Sequence, residues 1–362
     1  MFTRKIRTGI ICSLVLAFIV IVAIALYADL PHMVEALTRF HWVYIPLILG
    51  FTLVNYAGRF IKWQYYLKRL KIEISNRESL WIFLAGLSMA ITPGKVGELL
   101  KSYLLKRSTG TPISRTSPII VAERLSDGIA MLGLAAAGLV LYGIGWEILL
   151  LLLIFGVGAI ILIQNRPLVL SLLQKGERFP LITRFVHLVR EFYESAYTLL
   201  QWRPLLLAIG IGIISWSGEC VALYFVYSGL GIAAGPDLFV KSMFILAVSS
   251  LLGSASGLPG GLGTADGSML GLTRLLVTSS ATLGGAATLL IRLCTLWFGL
   301  LVGMIALFRI RWLQRLRGLD SLDSDWDEQQ KQKRRIAQPI YDDLTYVTDG
   351  TLTSTNTGEK FV

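Results

Sequence analysis

Charged residues are scarce in this 362-residue chain, because Asp, Glu, Lys and Arg together make up 16% of it. A typical soluble domain contains about 25%. Hydrophobic residues reach 54% and the mean hydropathy is +0.65. These values exclude a water-soluble globular protein. Since no long stretch has ordinary soluble composition, we expect any chemistry or transport to take place within a membrane domain.

Cysteine and histidine are also scarce, with three of each. Each cysteine lies in an apolar block without a CxxC partner, and the histidines lack ligand spacing. These residues are Cys12, Cys220, Cys294, His32, His41 and His187. A GxxxxGK[ST] loop, which would cradle nucleotide phosphates, is absent as well. The sequence therefore predicts no disulfide framework, no metal site, no cofactor and no ATP hydrolysis.

Basic residues give a net charge of +11, but they flank the apolar blocks instead of forming one basic surface. This pattern favours a topology signal over nucleic-acid binding. The proposed cytoplasmic segments contain 24 Lys and Arg residues, six of them from Arg59 to Arg77, where Trp63, Tyr65 and Tyr66 are expected in an interfacial aromatic belt. The proposed outside loops contain only Arg39, Lys241 and Arg274. Under the positive-inside rule, both termini are expected on the cytoplasmic side of the cell membrane.

The apolar blocks predict an all-α polytopic membrane protein with six transmembrane helices. The blocks lie at about residues 10–27, 42–61, 119–141, 146–163, 204–227 and 281–308. Two further blocks, at about 79–105 and 238–275, are each broken by Pro and Gly into arms shorter than the roughly 20 residues that a span needs. We interpret them as re-entrant hairpins. If each hairpin is instead drawn as two spans, the chain crosses the membrane ten times. Both termini still lie on the same side, so loop charge does not distinguish the six-span topology from the ten-span topology.

The two broken blocks share a motif, which predicts an internal repeat. Pro93-Gly-Lys-Val-Gly97 and Pro259-Gly-Gly-Leu-Gly263 are both PGxxG, followed by Glu98 and Asp266, respectively. An Arg-Leu pair comes later in each half, at Arg124 and Arg292. Opposite hairpin orientations indicate an inverted repeat, a plan typical of transporters with a site near the bilayer midplane. The hairpin residues are Pro93, Gly94, Gly97, Pro259, Gly260 and Gly263, and helix N-termini there are expected to present free N–H groups to an anion.

Charged residues inside predicted spans suggest a polar site. Glu123, Arg124 and Asp127 share one span, and each charge near a helix centre costs about 2.5–3.5 kcal/mol. Glu123 and Asp127 share a helix face, whereas Arg124 points elsewhere. One interpretation is a cavity in which basic residues bind a phosphate. The predicted binding residues are Arg124, Arg292, Lys95, Lys101, Glu98 and Asp266, and Glu123, Asp127 and Glu219 are intramembrane coupling residues or ion-pair partners. The alternative is purely structural ion pairs, such as Glu219 with Arg124 or Arg292.

These motifs resemble the flippase-like family that includes the transmembrane region of lysylphosphatidylglycerol synthases. The resembling segments are Arg59-Phe-Ile-Lys-Trp63, Thr92-Pro-Gly-Lys-Val-Gly-Glu98 with Lys101, Glu123-Arg-Leu-Ser-Asp127, and Ser256-Gly-Leu-Pro-Gly-Gly-Leu-Gly263 followed by Arg292. The resemblance covers about residues 1–312 and implies a bacterial or archaeal membrane protein that handles lipid head groups. The synthases also carry a soluble aminoacyl-transferase domain, which we do not expect in the short tail.

The resulting domain scheme has a flippase-like transmembrane domain at 1–317 and a disordered cytoplasmic tail at 318–362. The repeat halves cover about 42–141 and 204–308, and residues 165–203 form an interfacial amphipathic helix or a plain connector between them.

The leading functional hypothesis is a lipid flippase or translocator for phosphate-containing head groups, either phospholipid or polyprenyl-phosphate-linked. Its driving force is then not ATP, and Glu123, Asp127 and Glu219 are candidates for proton coupling. The alternatives are a polyprenyl-phosphate-dependent membrane transferase with Glu98 or Asp127 as base, and a non-transporting partner of lipid or glycan enzymes. Expected partners are a membrane lipid and its phosphate head group, a second copy of the chain, or such an enzyme, but no nucleic acid.

Overall fold

The computed structural model describes residues 4–92, 97–142, 146–167, 169, 171 and 180–316. Within these residues every regular element is helical. The helices of the first part of the chain are α1 (Arg4–Tyr27), α2 (Leu30–Thr38), α3 (Ile45–Arg69), α4 (Asn76–Leu87), α5 (Leu99–Thr109) and α6 (Pro118–Tyr142). Pro93, Gly94, Lys95 and the predicted tail at 318–362 lie outside the described residues.

The second part of the chain begins with α7 (Trp146–Gln164) and α8 (Pro180–Leu200). It continues through α9 (Trp202–Gly229), α10 (Pro236–Ala255), α11 (Thr264–Leu276), α12 (Ala281–Arg292) and α13 (Phe298–Leu316). A π-helical turn at Leu293–Trp297 joins α12 to α13. The described residues up to Leu307 form one compact unit, and those from Phe308 onwards belong to a second.

Four of the described helical segments are long and apolar enough to cross a membrane. They are Trp42–Arg69, Trp202–Gly229, Pro236–Ala255 and Ala281–Ile310. The pair α1 and α2, bent by 92° between Tyr27 and Leu30, gives a fifth if it counts as one span. Helix α6 has 25 residues but carries three charges. The all-helical membrane fold is therefore as predicted, whereas the count of six crossings stays a prediction.

The second broken block differs from its prediction. Its first arm, α10, begins at Pro236 and continues for 20 residues, which is long enough to span. Pro236 stands in the first turn, where a proline does not interrupt helical hydrogen bonding. In the first block, α4 and α5 have only 12 and 11 residues.

The helix that contains the second predicted span is longer than that span. Helix α3 continues eight residues past the predicted end, Ile61, so that Arg59 and Lys62 lie within it. Trp63 and Tyr66, expected in an interfacial aromatic belt, are fully buried in the protein. Their burial follows the helical period, because Lys62, Trp63 and Tyr66 continue the buried stripe of Thr52 and Tyr56.

The segment between the first two predicted spans contains α2. Its Met33 packs with Ala28 and Ala286 of the chain, so an apolar contact holds this short helix in place. The predicted connector contains α8, whose Tyr193 and Leu199 are buried while His187 and Arg190 are exposed. The connector is therefore helical over these residues, and its amphipathic position at a membrane interface stays a prediction.

Helices α3 and α9 cross closely because small residues face each other. A Cβ atom added to Gly58 would overlap the side chain of Ser215, and one added to Gly218 would lie 2.7 Å from the carbonyl oxygen of Phe51. The Asn55 side-chain amide donates a hydrogen bond to the Ser215 carbonyl, 3.0 Å away. Gly58 thus meets Ser215, one turn before Gly218, and Gly218 meets Phe51, two turns before Gly58. This crossing brings the next residues, Arg59 and Glu219, toward the same space.

Candidate functional site

An ion pair links the first broken segment to α6. Glu98 immediately precedes α5, and its carboxylate accepts hydrogen bonds from two nitrogens of the Arg124 guanidinium. The distance from Arg124 Nε to Glu98 Oε2 is 3.2 Å. Glu98 is buried, whereas the arginine side chain is 30% exposed. The arginine therefore retains an open side.

The second half contains a matching pair. Arg292 Nε lies 2.5 Å from Oδ1 of Asp266, in the first turn of α11. The guanidinium also donates to the carbonyl oxygens of Gly260 and Gly261, at 3.3 and 3.5 Å. Both arginines lie 26 residues after their acidic partners. The predicted repeat thus coincides with two like ion pairs.

Two buried lysines bind the remaining acids of α6. Lys101 Nζ lies 2.6 Å from Glu123 Oε2 and also sits over the ring of Trp63, 4.8 Å from its centroid. Lys62 binds Asp127. The structure therefore contradicts the pairing of Glu219 with Arg124 or Arg292 that was considered from sequence, because each arginine binds an acid near its own broken segment.

One cavity collects charged side chains from both halves. Its volume is about 180 Å³, enough for on the order of ten water molecules and hence for a phosphate group. Its charged lining comprises Arg59, Glu98, Lys101, Arg124, Glu219 and Arg292. Tyr56 and Trp216 also line it, with apolar residues such as Phe83, Leu246 and Leu296. Arg124 and Arg292 therefore face a common space.

Comparison with known proteins identifies the family. A family model described as "Lysylphosphatidylglycerol synthase TM region" matches residues 10–303. The chain belongs to this family. Two proteins of Methanothermobacter thermautotrophicus named "UPF0104 membrane protein" are similar to it. They are 24% and 22% identical over 322 and 315 residues, which cover 81% and 80% of this chain and 93% and 90% of the relatives. A protein of the same name from Methanocaldococcus jannaschii is 24% identical over 197 residues, covering 51% of this chain and 78% of the relative.

Membership of the lysylphosphatidylglycerol synthase TM family agrees with the resemblance seen in the sequence. Together with the apolar helices, it makes the chain a multi-pass integral membrane protein.

In this member of the family, the backbone at the two breaks is held by protein groups. The Gly97 N–H donates to Thr92 Oγ1 at 2.9 Å, and the Gly263 N–H donates to Asp266 Oδ2 at 2.8 Å. The expectation that the breaks present free N–H groups is therefore wrong at these two positions. Gly260 and Gly263 have φ values of +59° and +83°, which favour glycine. Pro259 is buried beside them.

Sequence reasoning missed two residues of the cavity region. It assigned Arg59 and Lys62 to a cytoplasmic loop, because both precede a run of basic residues. Arg59 lines the cavity and makes no ion pair within the described part of the chain, whereas Lys62 is fully buried. The signal was the apolar pattern, which continues at helical spacing through Trp63, Tyr66 and Leu67.

Two further cavity groups lack a direct partner among the described residues. The carboxylate of Glu219 has no cation within ion-pairing distance, although the side chain is only 9% exposed. Trp216 lies one turn earlier on α9, and its buried indole N–H has no hydrogen-bond acceptor. A buried donor without a partner costs free energy. These groups, with Arg59, offer the cavity an unsatisfied set of interactions.

Proposed function

We propose that this protein translocates membrane lipids by binding their phosphate head groups in the central cavity, without ATP hydrolysis. The observation that carries the proposal is the cationic side of that cavity. Arg59, Lys101, Arg124 and Arg292 converge there from both halves of the chain. A guanidinium has five N–H donors, which suit the oxygens of a phosphate.

Arg59 is the natural first contact for the phosphate. Arg124 and Arg292 each spend hydrogen-bond donors on a carboxylate, whereas Arg59 has no such partner among the described residues. The unpartnered Trp216 N–H adds a neutral donor to the same cavity. The acids Glu98 and Asp266 then hold their arginines in position, and the phosphate approaches the open side of each guanidinium.

An inverted repeat with one broken segment in each half is part of this proposal. It is supported by the two ion pairs with equal sequence spacing and by the reciprocal contacts of Gly58 and Gly218. In such a plan, opposite movements of the two halves expose one central site to each leaflet in turn. The basic segments favour a cell-membrane location with both termini in the cytoplasm.

Reconstitution of the purified chain in liposomes tests the function directly. Fluorescent phospholipids and short-chain polyprenyl phosphates would be offered in separate samples, and their appearance in the opposite leaflet would be measured by dithionite quenching. We expect the protein to accelerate movement of at least one phosphate-bearing lipid over protein-free liposomes. No acceleration for either lipid class would overturn the proposal.

Arginine-to-lysine variants test the proposed phosphate site. Arg124→Lys and Arg292→Lys keep the charge but lose paired N–H donors, and a hydrogen bond to a charged group contributes about 1.5–3 kcal/mol. We expect translocation to fall roughly tenfold or more in each variant, with melting temperatures close to the parent. Arg274→Lys is the matched control, because Arg274 lies on α11 but is exposed and outside the cavity. Unchanged translocation in both cavity variants would contradict the assignment.

A further inference from the structure

The charges around the cavity divide into pairs with one remainder of each sign. Four cations bind four buried acids: Lys62 with Asp127, Lys101 with Glu123, Arg124 with Glu98, and Arg292 with Asp266. Arg59 and Glu219 remain without an ion pair among the described residues. Among the described residues, these two charges balance each other overall.

Binding of a phosphate would disturb this balance. A phosphate anion on Arg59 neutralises this cation, which has no ion-pair partner in the described part of the chain, and leaves the Glu219 carboxylate as an uncompensated buried charge. Such a charge is costly, and a proton removes it. Phosphate binding and proton binding therefore favour each other, which is a thermodynamic linkage between two sites.

The surroundings of Glu219 support its role as the proton-binding group. From α3 it faces Arg59 and Tyr56, from α6 Asp127, and from α12 Arg292, while Cys220 is its neighbour on α9. Tyr56 donates its hydroxyl to the Thr295 carbonyl at 2.7 Å, so this donor is occupied. From α10, the neutral residues Leu246 and Ser250 line the same cavity.

We propose that Glu219 carries one proton across the membrane with each lipid phosphate, which makes translocation an electroneutral proton symport. This inference rests on the proposed lipid translocation. A proton from water binds a Glu219 carboxylate oxygen when the phosphate binds Arg59, and it returns to water on the other side when the phosphate leaves. The charge of the lipid phosphate, −1, and that of the proton, +1, cross the membrane together and cancel. A pH difference therefore drives the movement, and a membrane potential does not.

The ion pairs explain why Glu219 is chosen over the other acids. Glu123 and Asp127, which the sequence also suggested for coupling, each hold a buried lysine. Protonation of either would leave that lysine uncompensated. Glu98 and Asp266 likewise hold arginines.

Proteoliposomes containing the full chain and fluorescent phosphatidylglycerol, a monoanionic lipid, test the stoichiometry. The pH difference and a potassium–valinomycin membrane potential would be varied independently. For one proton per lipid, a gradient of about one pH unit should shift the leaflet distribution roughly tenfold toward the alkaline side. The potential alone should have no effect. A distribution that follows the potential and ignores pH would overturn the proposal.

Glu219→Gln removes the proton site while keeping the shape of the side chain. This variant should lose the pH-driven shift and respond to the potential, because it moves the anion alone. Glu35→Gln is the control, since Glu35 is exposed and pairs with the exposed Arg39, and it should behave as the parent. Retention of the pH-driven shift in Glu219→Gln contradicts the assignment. A second result would also contradict it: transport of a zwitterionic lipid with an amine head group only, unaffected by the pH difference and by the membrane potential. In that case the lipid ammonium would occupy Glu219.

A binding measurement separates this inference from the proposed function. Short-chain phosphatidylglycerol would be titrated into detergent-purified protein in weak buffer with a pH indicator. We expect uptake of about one proton per bound lipid in the parent, from the one-site linkage above, and none in Glu219→Gln. Binding without proton uptake overturns the coupling, even where lipid movement occurs. Proton-linked binding without movement in liposomes overturns translocation alone.

Discussion

Lys62 and Asp127 illustrate how a buried charge depends on its partner. Both are almost fully buried, and Lys62 also donates a hydrogen bond to Ser126 Oγ at 3.3 Å. In a low-dielectric interior, a buried pair gains little net stability, but breaking it leaves one charge uncompensated. The pair is therefore a strong constraint on how α3 and α6 pack, whatever it contributes to function.

Asp127→Leu and Lys62→Met should each lower the free energy of unfolding by about 3–5 kcal/mol, because the remaining charge stays buried. The double variant Lys62→Met with Asp127→Leu should recover much of that loss. Denaturation of the detergent-purified protein measures these differences as a double-mutant cycle. The exposed pair of Glu35 and Arg39 is the control, and Arg39→Gln should cost no more than about 1 kcal/mol. Additive losses at Lys62 and Asp127 would contradict the pairing.

At the scale of elements, the crossing of α3 and α9 decides where the free charges lie. Gly58 precedes Arg59 and Gly218 precedes Glu219, so each close contact is followed by a cavity residue. Small residues let helix backbones approach in membranes, where van der Waals packing drives association. The π-helical turn at Leu293–Trp297 follows Arg292 directly. The Tyr56 hydroxyl of α3 donates a hydrogen bond to the Thr295 carbonyl oxygen in this turn.

Substitution of glycine by alanine along α9 should lower stability at Gly218 but not at Gly210. Gly218→Ala places a Cβ atom 2.7 Å from the Phe51 carbonyl oxygen, which is backbone and cannot move alone. We expect a loss of about 1–3 kcal/mol from overpacking. Gly210→Ala on the same helix meets nothing within 4 Å, so helix propensity should make it neutral or stabilising by about 0.5–1 kcal/mol. Melting temperatures in one detergent would compare them, and equal effects would argue against a tight crossing.

At the scale of the whole molecule, the proposed inverted repeat requires the two broken segments to open toward opposite faces. Residues Ser108 and Ser279 follow the first and second hairpins, respectively, and both are exposed. In a variant lacking Cys12, Cys220 and Cys294, single cysteines at these two positions should label from opposite sides of the membrane. An impermeant maleimide applied to sealed right-side-out and inverted vesicles measures this. Labelling of both from one side would remove the inverted repeat.

The sequence was sufficient for features that depend on local pattern. Continuous apolar blocks predicted α6, α7 and α9 within a few residues, because the length of a helix that crosses a membrane is set by bilayer thickness. The repeated PGxxG motif located both broken segments, since proline and glycine act on the backbone near themselves. The motif also pointed to Arg124 and Arg292 before any contact was known.

Only the tertiary structure decided which charges pair and which stay free. The sequence pattern assigns Arg59 and Lys62 to a basic cytoplasmic segment, whereas in the structure both residues lie within helix α3. Their surroundings come from α6 and α9, far away in the chain, and the approach of those helices depends on small residues such as Ser215 and Gly218. Ion-pair choice follows from distances across helix crossings, which a one-dimensional pattern does not contain. For this reason the charged residues can be identified from the sequence, but only the fold shows that Arg59 and Glu219 lack an ion-pair partner among the described residues.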